Sequence, residues 1–96
     1  MFGKAKEQLE FVKKAREIQK KLKATEVDAE SGAVKITMNG EQKIQSVSID
    51  RDEFDADNLS RLEKDISSAV ESAITKSQKV AAEMMKDMGG FGLPGM

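Results

Sequence analysis

The chain has 96 residues, enough for one small domain, and its 39% hydrophobic and 34% charged side chains make it polar but still able to build a core. Histidine and cysteine are both absent, which excludes disulfides, thiolate and imidazole catalysis, and zinc sites of the usual ligand types. The formal net charge is −1, at first sight unlike a nucleic-acid binder.

That charge is an average over unlike blocks. Residues 1–25 carry a net +5, residues 26–60 a net −6, and residues 61–96 are neutral. No apolar run approaches the roughly 20 residues of a membrane span, and Met1 to Lys14 has no signal-peptide core. A cytoplasmic, non-enzymatic protein is expected, with no cofactor, no metal, no membrane and no small-molecule substrate.

Residues 4–24 lack Gly and Pro and are rich in Lys, Glu, Gln, Ala and Leu, which predicts a helix. Ala5, Leu9, Val12, Ala15 and Leu22 follow one apolar band, widened by Phe11 and Ile18. Lys6, Lys13 and Lys20 recur every seven residues beside it, with Arg16 and Lys23 near the same line. Such a stripe runs for about 20 Å and suits phosphates along a duplex. From spacing alone, a solvated face beside a coiled-coil-like seam is the commoner meaning of such a stripe.

Val34, Ile36 and Met38 alternate with Lys35 and Thr37, the period of a half-buried strand, and Asn39-Gly40 follows as the signal of a tight hairpin with positive φ at both positions. The return strand runs from about Gln42 to Ile49, with Val47 and Ile49 in phase and Ile44 out of phase. Either a bulge near Gln45 or a change of face accounts for Ile44. Thr25 to Ala29 supplies a third strand, joined through Glu30-Ser31-Gly32. Three short strands leave one face and two edges that need cover.

The acidic loop from Asp50 to Asp57 fails as an EF-hand: its fifth position is Phe54, its sixth Asp55 and its twelfth Arg61. Its carboxylates suit a helix N-terminus, with Asp57 or Asn58 as N-cap, or Ser60 and Glu63 as a capping box. A second helix of about 30 residues is predicted from Asn58 to Asp87, with Leu59, Leu62, Ile66, Ala69 or Val70, Ala73, Ile74, Val80 or Ala81, and Met84 on its apolar stripe. At about 45 Å it outruns three short strands, so part of it projects or is buried by another chain, and a homodimer is expected. Gly89-Gly90 ends the helix. Gly90, Gly92 and Gly95 match G-x-G-x-x-G, but no strand precedes them and only Met96 follows, so no dinucleotide fold can be built there.

In order, Met1-Phe2-Gly3-Lys4, the run Ser31-Gly32-Ala33-Val34-Lys35-Ile36-Thr37-Met38-Asn39-Gly40, Val47-Ser48-Ile49-Asp50, Leu62-Glu63-Lys64-Asp65-Ile66 with Ala69, and Met88-Gly89-Gly90-Phe91-Gly92-Leu93-Pro94-Gly95 resemble the YbaB/EbfC family of small bacterial nucleoid-associated proteins. The resemblance spans essentially the whole chain. It implies an α+β protomer: an N-terminal helix, a three-stranded antiparallel β-meander and a long C-terminal helix, paired into a tweezer-like homodimer through the sheet region. It implies one DNA-binding domain over 1–88, a flexible Gly-rich tail over 89–96, and double-stranded DNA bound with low sequence specificity in nucleoid organisation and gene regulation. By matching position, Lys6, Lys13, Lys14, Arg16, Lys20, Lys21 and Lys23 form the DNA-facing set, with Arg61, Lys64, Lys76 and Lys79 as a second set. The expected dimer contacts are Val34, Ile36, Met38, Val47, Ile49, Ile66 and Val70. Four Phe that form no stacking row make single strands or RNA the lesser target. The alternative is a homodimeric protein-interaction adaptor that grips a partner through projecting helices and a Met-rich C-terminus.

Overall fold

The computed structural model describes residues 2–87, with side chains from 7 to 86. The expected tail at 89–96, Met88 and the helix stop at Gly89-Gly90 lie outside the described residues.

Five elements follow in the expected order: α1 (Phe2–Ala24), β1 (Glu26–Ser31), β2 (Val34–Asn39), β3 (Ile44–Ile49) and α2 (Leu59–Asp87). The strands form one antiparallel sheet in the order β1-β2-β3. This is the α+β meander between two helices that the sequence implies.

β1 and β2 pair from Glu26 opposite Asn39 to Ser31 opposite Val34, leaving Gly32 and Ala33 as a two-residue turn. Gly32 has φ +54°, the sign a type II′ turn needs at its first central position. A Cβ there would also overlap the Asp65 carboxylate of α2, to which Ser31 Oγ donates at 3.2 Å.

The tight Asn39-Gly40 turn does not form. Asn39 stays in β2, the connection runs on to Lys43, and the left-handed residue is Gln42 at φ 64°. Gly40 is required for a different reason. Its N–H donates to Leu22 O at 2.8 Å and to Thr25 O at 3.0 Å, and a Cβ would lie 2.9 Å from Leu22 O. Close approach to the end of α1, not backbone handedness, selects glycine.

In β3, Met38 faces Ile44 while Thr37 faces Ser46, so Gln45 is one residue too many. The bulge settles the phase of Ile44: it shares a face with Val47 and Ile49.

α2 packs on β1 and β2 and scarcely reaches β3. The core joins Ala29, Val34, Ile36, Met38, Ala69 and Ala73, flanked by Val27, Leu62, Val70 and Ile74. Ala69, Ala73 and Ser77 recur every four residues and are fully buried, so the helix meets the sheet along its smallest side chains. Each of the three large β2 side chains contributes about 1.5–3 kcal/mol by burial.

This packing buries some of the residues expected at a dimer contact and leaves others open. Val34, Ile36 and Met38 are 1–2% exposed beneath α2, so their surface is already taken inside the protomer. Val70 is half-buried against the same core. Val47, Ile49 and Ile66 stay open at 55%, 41% and 38%.

The described side chains of α1 are buried chiefly toward its C-terminal end. Among residues 7–24 just Ile18 and Leu22 are half-buried, while Leu9, Phe11 and Val12 are exposed, so the apolar band is not covered by this chain's sheet. The molecule is accordingly long, 68 × 24 × 16 Å, with a radius of gyration of 18.6 Å against about 13 Å for a compact chain of this size.

Candidate nucleic-acid interface

α1 bears the basic block, and its helical period sorts the cations. At about 100° per residue, Lys13, Arg16, Lys20 and Lys23 fall within an arc of about 80°. Lys14 and Lys21 lie about 120–140° from the centre of that arc, on another face. Lys6 continues the row by position, though its side chain lies outside those described. The seven expected residues therefore form one row of five and a separate pair.

The row meets a second element. Arg16, Gln19, Lys20 and Lys23 form one wall of an open groove of about 370 Å³, and Glu41 and Lys43 of the β2–β3 connection form the other. Sequence reasoning missed Lys43, because it sits inside the acidic block and only the fold brings it to α1. Its exposed neighbour Gln42 at positive φ and the Gly40 contact with Leu22 are what turn the connection toward the helix. Among the described residues, none of the side chains of Arg16, Lys20, Lys23 or Lys43 takes part in an ion pair. Four cations thus share the groove with a single carboxylate.

The joint behind the groove is Asn39, which is 2% exposed and has its polar groups engaged. Its Nδ2 donates to Lys23 O at 3.3 Å, and its Oδ1 accepts the Glu41 and Lys43 N–H groups, both at 3.0 Å. Its N–H donates to Lys43 O at 2.9 Å. The last turn of α1 also closes on itself: Thr25 Oγ1 donates to Lys21 O at 2.6 Å.

The second set of cations on α2 is partly engaged. Lys76 Nζ donates to Asp28 O at 2.6 Å, covering a carbonyl of the edge strand β1, and Arg61 lies 3.9 Å from Asp65. Lys64 and Lys79 are exposed. The outward face of the sheet pairs Lys35 with Asp28 at 4.0 Å, and Thr37 Oγ1 donates to the same carboxylate at 2.7 Å.

Two carboxylates of the acidic loop serve its own backbone. Asp50 Oδ1 accepts Asp52 N–H at 2.8 Å, and Asp55 Oδ1 accepts Asp57 N–H at 2.9 Å. Asn58, not Asp57, caps α2: its Oδ1 accepts Arg61 N–H at 3.1 Å. Among the described residues no three carboxylates converge, and no helix is long and apolar enough to cross a membrane.

A family model described as the YbaB/EbfC DNA-binding family matches residues 1–92. The chain is 40% identical over 76 residues to a protein of Syntrophobacter fumaroxidans named nucleoid-associated protein, covering 78% of this chain and 69% of that one. A nucleoid-associated protein of Thermoanaerobacter pseudethanolicus is 34% identical over 99 residues, covering all of this chain and 86% of its own. One from Caldicellulosiruptor saccharolyticus is 37% identical over 71 residues, and the match spans 63% of its length. The chain belongs to the YbaB/EbfC DNA-binding family.

Proposed function

We propose that this chain is a nucleoid-associated protein that binds double-stranded DNA with little sequence preference, as a homodimer. The observation that carries the reading is the row Lys13, Arg16, Lys20 and Lys23, about 15 Å of exposed cations on a helix that projects from the core. Family membership and the names of the relatives point the same way. Such side chains release condensed counterions from the phosphates they meet, which gives affinity, while lysine ammonium groups read little of the base edges. Location at the nucleoid, DNA organisation and a part in gene regulation follow from that activity.

The dimer is supported by what α2 leaves open. Ile44, Val47 and Ile49 line the helix-side face of β3, and Phe54, Leu59 and Ile66 are exposed as well. Apolar exposure beside a free strand edge is the usual mark of a partner surface. Pairing through it doubles the basic row. The adaptor alternative draws on the projecting helices and on Met84, Met85, Met88, Phe91 and Leu93: Met84 is half-buried and Met85 is exposed, while Met88, Phe91 and Leu93 lie outside the described residues. The row of exposed cations on α1 favours DNA over it.

The test is a salt titration of binding to a mixed-sequence duplex, beside single strands and RNA. Affinity for the duplex falls steeply as salt rises, and Lys13→Glu/Lys20→Glu removes most of it. Binding that survives this double change would sink the α1 assignment.

A further inference from the structure

We infer that Lys43 is a DNA phosphate contact acting as one clamp with Arg16, Lys20 and Lys23, and that Glu41 in the same groove holds the clamp's affinity down. The inference rests on the duplex-binding reading above and adds a second element to it.

The first argument is placement. A helix alone presents cations along a line, and a phosphodiester strand lying on it is touched from one side. The groove has two walls, one from α1 and one from the β2–β3 connection, so a strand entering it meets ammonium groups from both. The wall from the connection is fixed relative to α1. Gly40 N–H is bonded to Leu22 O and Thr25 O, and Asn39 Nδ2 to Lys23 O.

The second argument is preorganisation. Lys43 extends from a backbone held twice by Asn39, through its N–H at 3.0 Å and its carbonyl at 2.9 Å. Only the side chain is left to order when a phosphate arrives, which lowers the entropy lost on binding. Among the described residues it has no ion pair to break first. Lys35 differs, paired with the Asp28 carboxylate, and Lys76 is already engaged with the Asp28 backbone carbonyl.

The third argument concerns Glu41. Its N–H shares the Asn39 Oδ1 acceptor with Lys43, so the two side chains leave one anchor and line the same wall. A phosphate between the walls meets this carboxylate with no described cation neutralising it within 4.0 Å. Like-charge repulsion follows. Removing it costs the fold little, because the anchoring bond is to the backbone and not to the carboxylate.

The experiment is fluorescence anisotropy of the full chain on a mixed-sequence duplex across a salt series, with Lys43→Gln, Glu41→Gln and a control, Lys35→Gln. Lys43→Gln lowers affinity and reduces the slope of log K against log salt by about 0.9 for each phosphate no longer neutralised. Glu41→Gln raises affinity at every salt concentration. Lys35→Gln, on the outward face of the sheet, changes neither. If Lys43→Gln and Glu41→Gln both bind like the unchanged chain while Lys13→Glu/Lys20→Glu fails to bind, the clamp is wrong and the α1 reading stands. If the unchanged chain shows no salt-dependent duplex binding, both readings fall.

Discussion

Ser77 Oγ donates to the backbone oxygen of Asn39 at 2.8 Å, and both residues are buried, at 0% and 2% exposure. This one bond ties the middle of α2 to the strand end from which the groove is built. Asn39 then passes the constraint to α1 through Lys23 O and to the connection through Glu41 and Lys43. Three elements distant in sequence share one polar joint, so the cations on α1 and on the connection are positioned by the same core that holds the sheet.

Ser77→Ala removes a buried donor but leaves Asn39 O still accepting Gln42 N–H at 3.0 Å. The loss is about 0.5–1.5 kcal/mol in urea unfolding. Ser77→Val costs more, about 1–3 kcal/mol, because it forces volume into the line of Ala69 and Ala73 that lies against the sheet. Equal stabilities for the two variants would show that the helix has room to move away.

Gly40→Ala separates position from charge. Its new Cβ has backbone of Leu22 within 2.9–3.1 Å, which cannot give way as a flexible side-chain end can. α1 must shift, at about 1–3 kcal/mol. Amide exchange in residues 18–25 quickens, and duplex affinity falls although no cation has changed. Unaltered affinity in this variant would mean that DNA does not need α1 and the connection in register.

These contacts explain what the sequence could and could not show. Strand alternation, the phase error at Ile44 and the unbroken helical stretches are local, and each is legible within a window of a few residues. The role of Gly40 is not, because its reason is Leu22 O, eighteen positions earlier in the chain. Asn39-Gly40 carries the local mark of a tight turn, yet tertiary bonds to α1 and α2 outcompete that preference. Lys43 is hidden the same way: in an acidic block it has no local signal, and the bonds of Asn39 and Gly40 to the end of α1 bring it to the basic helix. The expected dimer contacts meet the same limit. Alternation identifies Val34, Ile36 and Met38 as apolar, but not whether α2 or a second copy covers them.

Asn58→Ala removes the cap on α2 and leaves Arg61 N–H to solvent. Stability falls by about 0.5–2 kcal/mol. Asp57→Ala costs less, since Asp57 contributes its backbone N–H and not its carboxylate to the loop. Thermal unfolding of the two variants distinguishes them, and the reverse order would reassign the cap.

Val47→Asp/Ile49→Asp tests the dimer without dismantling the protomer. Both side chains stand on β3 opposite Ile36 and Val34, on the face turned toward the helix but beyond its reach. With 55% and 41% exposure, an aspartate at each site keeps its water in a lone protomer, so the cost there is that of strand preference, up to about 1 kcal/mol. In a two-fold interface each change is met twice, and every unpaired carboxylate buried there costs several kcal/mol. Sedimentation at micromolar concentration therefore shows a dimer for the unchanged chain and a monomer with intact far-UV circular dichroism for the variant. Ile36→Asp behaves differently: it places a charge in a site 1% exposed and unfolds the protomer. Duplex affinity of the monomeric variant drops further than one row of cations accounts for, because the second row no longer binds at a high effective concentration. A variant that remains dimeric would move the interface off β3, to the exposed Leu9, Phe11 and Val12 of α1, which this chain's own sheet leaves uncovered.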